Sequence, residues 1–72
     1  MPKIYSSKQI VRILERHDFL FVSQKGSHAK YIKLAKKNLV VIIPMSRREI
    51  PMGTFRSICR QSNLSPEDFE TR

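Results

Sequence analysis

At 72 residues and 8.5 kDa the chain has room for one small domain, residues 1–72, with a single modest core and no second module. Lysine and arginine number 14 against 6 acids, a net charge of +8, and residues 1–64 alone hold 13 basic and 3 acidic residues, a net +10; such a surface predicts a polyanionic partner, nucleic acid first and an acidic protein second. The lone Cys59 excludes an intramolecular disulfide, no apolar export signal follows Met1-Pro2-Lys3-Ile4, and the longest apolar run, Leu39 to Ile43, is far too short to cross a membrane, so a cytoplasmic location is expected.

Ser6-Ser7-Lys8-Gln9 reads as a helix start, with Ser6 able to cap the first free amides and Gln9 able to reach back to it. Ile10, Val11, Ile13, Leu14 and His17 then recur at helical spacing, which predicts a first helix over residues 7–17 with Lys8, Arg12, Glu15 and Arg16 facing solvent. Asp18 breaks it. Phe19 to Gln24 is aromatic and β-branched, a first strand, and a Lys25-Gly26 turn leads to a second strand from Ser27 or His28 to about Ala35. Lys36-Lys37-Asn38 forms the next turn, Asn38 being able to take a left-handed backbone, and Leu39 to Ile43 is apolar throughout, as expected of the most covered strand.

Pro44 ends that strand, and the segment to Pro51 is a basic surface loop carrying Arg47 and Arg48. Gly53-Thr54 opens a second helix whose inner stripe is Phe55, Ile58, Cys59 and Ser62, with Asn63 as its stop. Cys59 on that stripe is a small core side chain. Ser65-Pro66-Glu67-Asp68 is another helix start, and the turn that follows tucks Phe69 against the core. The elements predict an α+β fold, a two-layer α-β-β-β-α sandwich with a three-stranded antiparallel sheet and both helices on one face.

The stretch with chemistry is Lys25-Gly26-Ser27-His28-Ala29-Lys30-Tyr31. Gly26 permits a positive φ and an exposed turn whose amides a phosphate can approach. His28 and Lys30 share one strand face, Ser27, Ala29 and Tyr31 the other. If Ile32 and Leu34 point toward the helices, so do His28 and Lys30, at a rim where the free amides of Gly53 and Thr54 add to a phosphate site. If Tyr31 points inward, His28 and Lys30 face open solvent. The rim arrangement is preferred here.

Metal-free RNA cleavage requires a base for the 2′-hydroxyl, cations for the phosphorane and an acid for the leaving oxygen. Histidine serves near neutral pH, Lys25 or Lys30 can hold the charge, and Arg47 or Arg48 can reach across; the second proton-transfer group is not identified. Ser27 and His28 would point to opposite faces of a strand and cannot pair as nucleophile and base without a bulge. Two distant histidines and one cysteine make no metal ligand set. On residues alone, His28 reads first as a surface or sheet-edge histidine and Tyr31 as a packing residue, while the basic residues, readable as a solvated face, carry more charge than solubility requires.

The chain resembles the HicA family of toxin mRNA interferases over nearly its whole length. The resemblance is carried by Ile13-Leu14-Glu15 in the first helix, by Lys25-Gly26-Ser27-His28 leading to Tyr31, and by Ile43-Pro44. Gly53-Thr54-Phe55-Arg56-Ser57-Ile58 with Gln61, Leu64, Ser65 and Phe69 completes it. It implies a double-stranded-RNA-binding-like fold and metal-independent endoribonuclease activity on mRNA that arrests translation in a stress response, without a cofactor. His28 is then catalytic, with Lys25, Gly26, Ser27, Lys30, Tyr31, Arg47 and Arg48 contacting RNA, and a HicB-type antitoxin protein covers the site. Met45-Ser46-Arg47-Arg48 stands where many relatives carry a second histidine, a departure that bears on rate and RNA preference. The alternative is a non-catalytic RNA-binding module of the same topology, but the start of the second helix lacks the lysine cluster that grips duplex phosphates.

Overall fold

A computed structural model describes residues 4–70. Its elements run α1 (Ser7–Arg16), β1 (Leu20–Lys25), β2 (His28–Lys33), β3 (Leu39–Pro44), α2 (Met52–Ser62) and α3 (Pro66–Glu70), the expected order. The three strands form an antiparallel meander in the order β1-β2-β3, and the helices before and after it complete an α+β arrangement of double-stranded-RNA-binding-like topology.

The capping box at the start of α1 is present: the Gln9 amide donates to Ser6 Oγ (3.2 Å) and the Ser6 amide donates to Gln9 Oε1 (2.9 Å). The helix ends one residue earlier than expected. Asp18 takes a left-handed backbone (φ 71°) and donates its amide to Glu15 O (3.1 Å), while the Phe19 amide donates to Leu14 O (3.0 Å). These are the two bonds of a Schellman motif. Phe19, expected in β1, therefore belongs to the helix terminus and enters the core, and the strand starts at Leu20. β2 stops at Lys33, so Leu34 lies outside the sheet and is 71% exposed. Asn38 is not among the residues with positive φ.

The facing of the strands is where expectation and structure part. Ala29 and Tyr31 point to the helices, Tyr31 being 5% exposed, and His28 and Lys30 therefore lie on the open face, against the rim arrangement preferred from sequence. The reason lies in the register. Tyr31 pairs with Val41 and Ala29 with Ile43, so the four side chains share the buried face, joined by Ile10, Ile13, Leu14 and Ile58 from the helices. Tyr31 also meets Phe21 edge-on, with ring centroids 5.6 Å apart. β3, expected to be the most covered strand, is buried on its helix side alone: Val41 and Ile43 are buried, whereas Val40 and Ile42 are 43% and 40% exposed.

Away from the sheet, Tyr5, Phe55 and Phe69 form a three-ring cluster with centroid separations of 5.0–6.1 Å, which holds α3 and the segment before α1 against α2. Phe69 is tucked in as expected, and Cys59 is a buried core side chain whose thiol burial pushes upward in pKa, with Asp68 adding to the effect. Gln61 braces the sheet from α2. Its Oε1 accepts the Ile42 amide (2.9 Å) and its Nε2 donates to Ser57 Oγ (3.0 Å), which occupies part of the free edge of β3.

Candidate nucleic-acid interface

The hairpin between β1 and β2 has a two-residue loop, Gly26-Ser27, with φ +60° at Gly26 and no positive φ at Ser27. That is the pattern of a type II′ turn, which matches the twist of the flanking strands and wants glycine at its first position. No atom lies within 4 Å of where a Gly26 Cβ would stand, so the glycine answers a backbone demand and not a steric one. Gln24 Nε2 donates to Gly26 O (3.1 Å) and braces the loop.

This tight turn makes Lys25 and His28 cross-strand partners, and on the far side of His28 the partner is Pro44. Directly opposed residues in an antiparallel pair keep their side chains within about 4.5–5.5 Å at Cβ. Lys30 follows two positions along the same face, opposite Ser23 and Ile42. The open face thus presents Lys25, His28 and Lys30 together at the hairpin end, all exposed, with Leu20 (65% exposed), Val40 and Ile42 forming an apolar field further along. An irregularity between Phe21 and Ser23 keeps this alignment: it slips β1 by one residue, so that Leu20 and Lys25, five apart in sequence, both face outward.

Tyr31, expected to contact RNA, is on the other face. Burial raises its phenol pKa, with Glu15 adding to the effect, and a ring packed beneath the sheet offers no stacking surface to a base. Arg47 and Arg48 do not join the three open-face residues either. The Met45 amide donates to Ser27 O (2.6 Å), and Ser46 takes a left-handed backbone (φ 62°) that turns the chain round the end of the sheet toward α1. There Ser7, 2% exposed, clasps the loop: its amide donates to Arg47 O (2.9 Å), its Oγ donates to Pro44 O (2.6 Å), and the same Oγ accepts the Arg47 amide (3.0 Å). The helix terminus brought to this end of the molecule is that of α1, where sequence reasoning had suggested Gly53 and Thr54. Ser7 carried no signal in the sequence, because its role depends on a loop some forty residues away.

His17 caps the far end of α1 and lies within electrostatic reach of Asp68, so the open face has His28 as its sole imidazole among the described residues. No group of three or more His, Cys, Asp or Glu side chains able to hold a metal comes together among those residues, and no helix among them is long and apolar enough to cross a membrane.

The chain is thus a small basic α+β domain of double-stranded-RNA-binding-like topology with a histidine beside two lysines on its bare sheet face. The family model described as the HicA toxin of bacterial toxin-antitoxin systems matches residues 7–64, and the chain belongs to that family. It is a toxin of a toxin-antitoxin pair, a class whose members have a cognate antitoxin. A comparison with curated proteins finds no match.

Proposed function

We propose that this toxin is a metal-independent endoribonuclease that cleaves mRNA and so arrests translation, with His28 as its catalytic residue. The observation that carries the reading is the register at the hairpin, which sets one imidazole between two ammonium groups on an exposed face. In this reading the imidazole takes the proton from a ribose 2′-hydroxyl, whose oxygen attacks the adjacent phosphorus and expels the 5′-oxygen of the next nucleotide. A 2′,3′-cyclic phosphate and a 5′-hydroxyl result. In this reading Lys25 and Lys30, which share the face with His28, offset the negative charge that develops on the phosphorane oxygens, and the departing oxygen takes its proton from solvent at this exposed surface. An open face suits this task because a single strand must lie flat across it with its bases splayed.

The same face supports a HicB-type antitoxin as inhibitor. Leu20, Val40 and Ile42 are exposed together beside Lys25 and Lys30, which suits an acidic partner with an apolar centre. Such a partner would cover His28 and hold the toxin inactive.

The test is cleavage of RNA by purified wild-type protein and by His28→Ala in EDTA, with the product ends identified. Cleavage by wild type to cyclic or 3′-phosphate ends, lost in the variant, is the expected result; because His28 is exposed, the circular dichroism spectrum should not change. Cleavage that EDTA abolishes, or that His28→Ala retains, would overturn the mechanism. Binding without cleavage by either protein would identify a non-catalytic RNA-binding module instead.

A further inference from the structure

Round the end of the sheet from His28 lies a cavity of about 400 Å³ lined by Ser6 to Lys8 and Met45 to Arg48. Three features make it more than a gap beside a loop. It gathers three exposed cations from two separate elements, and among the described residues none of them takes part in an ion pair. Lys8 stands in the first turn of α1, which contains no acidic residue, although that is the end of a helix where the backbone dipole favours acids and disfavours lysine. The loop that delivers Arg47 and Arg48 holds Ser46 in a left-handed backbone and is fastened by the buried Ser7 clasp, so the charges are mounted on a braced support.

Mutual repulsion among unneutralised cations at the positive end of a helix is a local conflict that an anion would relieve. The charge comes from the side chains: the Ser6, Ser7 and Gln9 amides already donate within the protein, to Gln9 Oε1, Arg47 O and Ser6 Oγ. The cavity volume falls in the range that accepts a nucleotide-sized group. Arginine forks and a lysine suit phosphate oxygens, and the half-buried Met45 supplies an apolar wall for a ribose or base. Its position completes the case. Met45 follows Pro44, the strand partner of His28, and is tied by its amide to Ser27, so the cavity begins one residue beyond the proposed reacting centre.

We propose that this cavity is an RNA subsite that holds a nucleotide neighbouring the scissile phosphate, with Lys8, Arg47 and Arg48 on its phosphate group. Lys8 thereby becomes an RNA-binding residue and not merely a solvent-facing one. The proposal rests on RNA being the ligand of the His28 face, and it assigns Arg47 and Arg48 a task separate from the chemistry.

Binding of a 2′-O-methyl RNA oligonucleotide, which has no free 2′-hydroxyl to attack and so cannot be cleaved, tests it without relying on turnover. The expected result is that amide resonances of residues 6–8 and 45–48 shift on titration. Combined Lys8→Ala, Arg47→Ala and Arg48→Ala should weaken binding at least tenfold and flatten the dependence of log affinity on log salt by about 0.7 per cation removed. Lys8→Arg in an otherwise intact chain should restore the salt slope that Lys8→Ala loses. Unchanged affinity and slope in the triple variant would overturn the subsite while leaving the endonuclease reading to the His28 assay. If the triple variant binds RNA normally but loses affinity for the antitoxin, the cavity serves the protein partner and the proposal is wrong. Shifts at these residues with no cleavage by wild type would support the cavity as an RNA-binding site and discard the endonuclease.

Discussion

On the helix side of the sheet Ala29, Tyr31, Val41 and Ile43 are buried, while on the opposite side Leu20, Val40 and Ile42 stand exposed among Lys25, His28 and Lys30. Both sides are drawn from the same three strands, and in β3 all the alternating residues are aliphatic. The buried side holds the fold. The open side carries apolar surface that the domain's own core does not use, beside a histidine and two lysines, and it is this surface that the proposed RNA and inhibitory partner would cover. One sheet thus separates the core side from the proposed functional side by the period of two along each strand.

The sharpest way to break this comparison is to make the same change on each side. Ile43→Ala should cost about 2–5 kcal/mol, enough to leave a domain of this size largely unfolded at 37 °C, whereas Ile42→Ala should cost under about 1 kcal/mol. Urea denaturation followed by circular dichroism gives both numbers, and equal losses would mean that the faces are assigned wrongly. Next in size is the clasp joining the two sides at the end of the sheet. Ser7→Ala removes two hydrogen bonds of a buried hydroxyl and should destabilise by about 1–3 kcal/mol, with faster hydrogen exchange at the Arg47 amide. An Arg47 amide whose exchange does not change would show that the loop is held by other means.

The smallest effect lies in α3, remote from the open face. The Ser65 amide (2.9 Å) and hydroxyl (3.1 Å) donate to Asp68 Oδ2 and hold its carboxyl below the ordinary carboxylate value, helped by His17. A lowered folded pKa means that the contribution is complete above about pH 3.9, the value of an unperturbed aspartate, and is lost as pH falls through the folded value. Asp68→Asn should therefore flatten the acid side of a stability-against-pH curve and leave the neutral region nearly level. A variant with the wild-type acid limb would remove Asp68 from that role.

Local chemistry was legible in the residues. The Ser6–Gln9 capping box, the Gly26 turn, the Asn63 stop with φ 63° and the inner stripe of α2 all follow from contacts within a few positions, and each stands where it was read. Strand alternation placed His28 and Lys30 on one face from the residues alone, and the short hairpin adds Lys25, which the sequence had suggested only as part of the turn. Tyr31 was misplaced because Ile32 and Leu34 offered an equally apolar alternative stripe. The choice was made by pairing with Val41 and Ile43, and by the early end of β2, which left Leu34 outside the sheet.

The amino-acid order by itself determined the elements, their turns, the excess of positive charge and the histidine in its hairpin, because these depend on neighbours in sequence. Only the tertiary structure decided which side of the sheet the histidine faces, that Arg47 and Arg48 leave that side, and that Lys8 meets them across a cavity. Those outcomes depend on strand register and on a serine bonded to a loop forty residues distant, and such pairings have no signature until the core has closed around them.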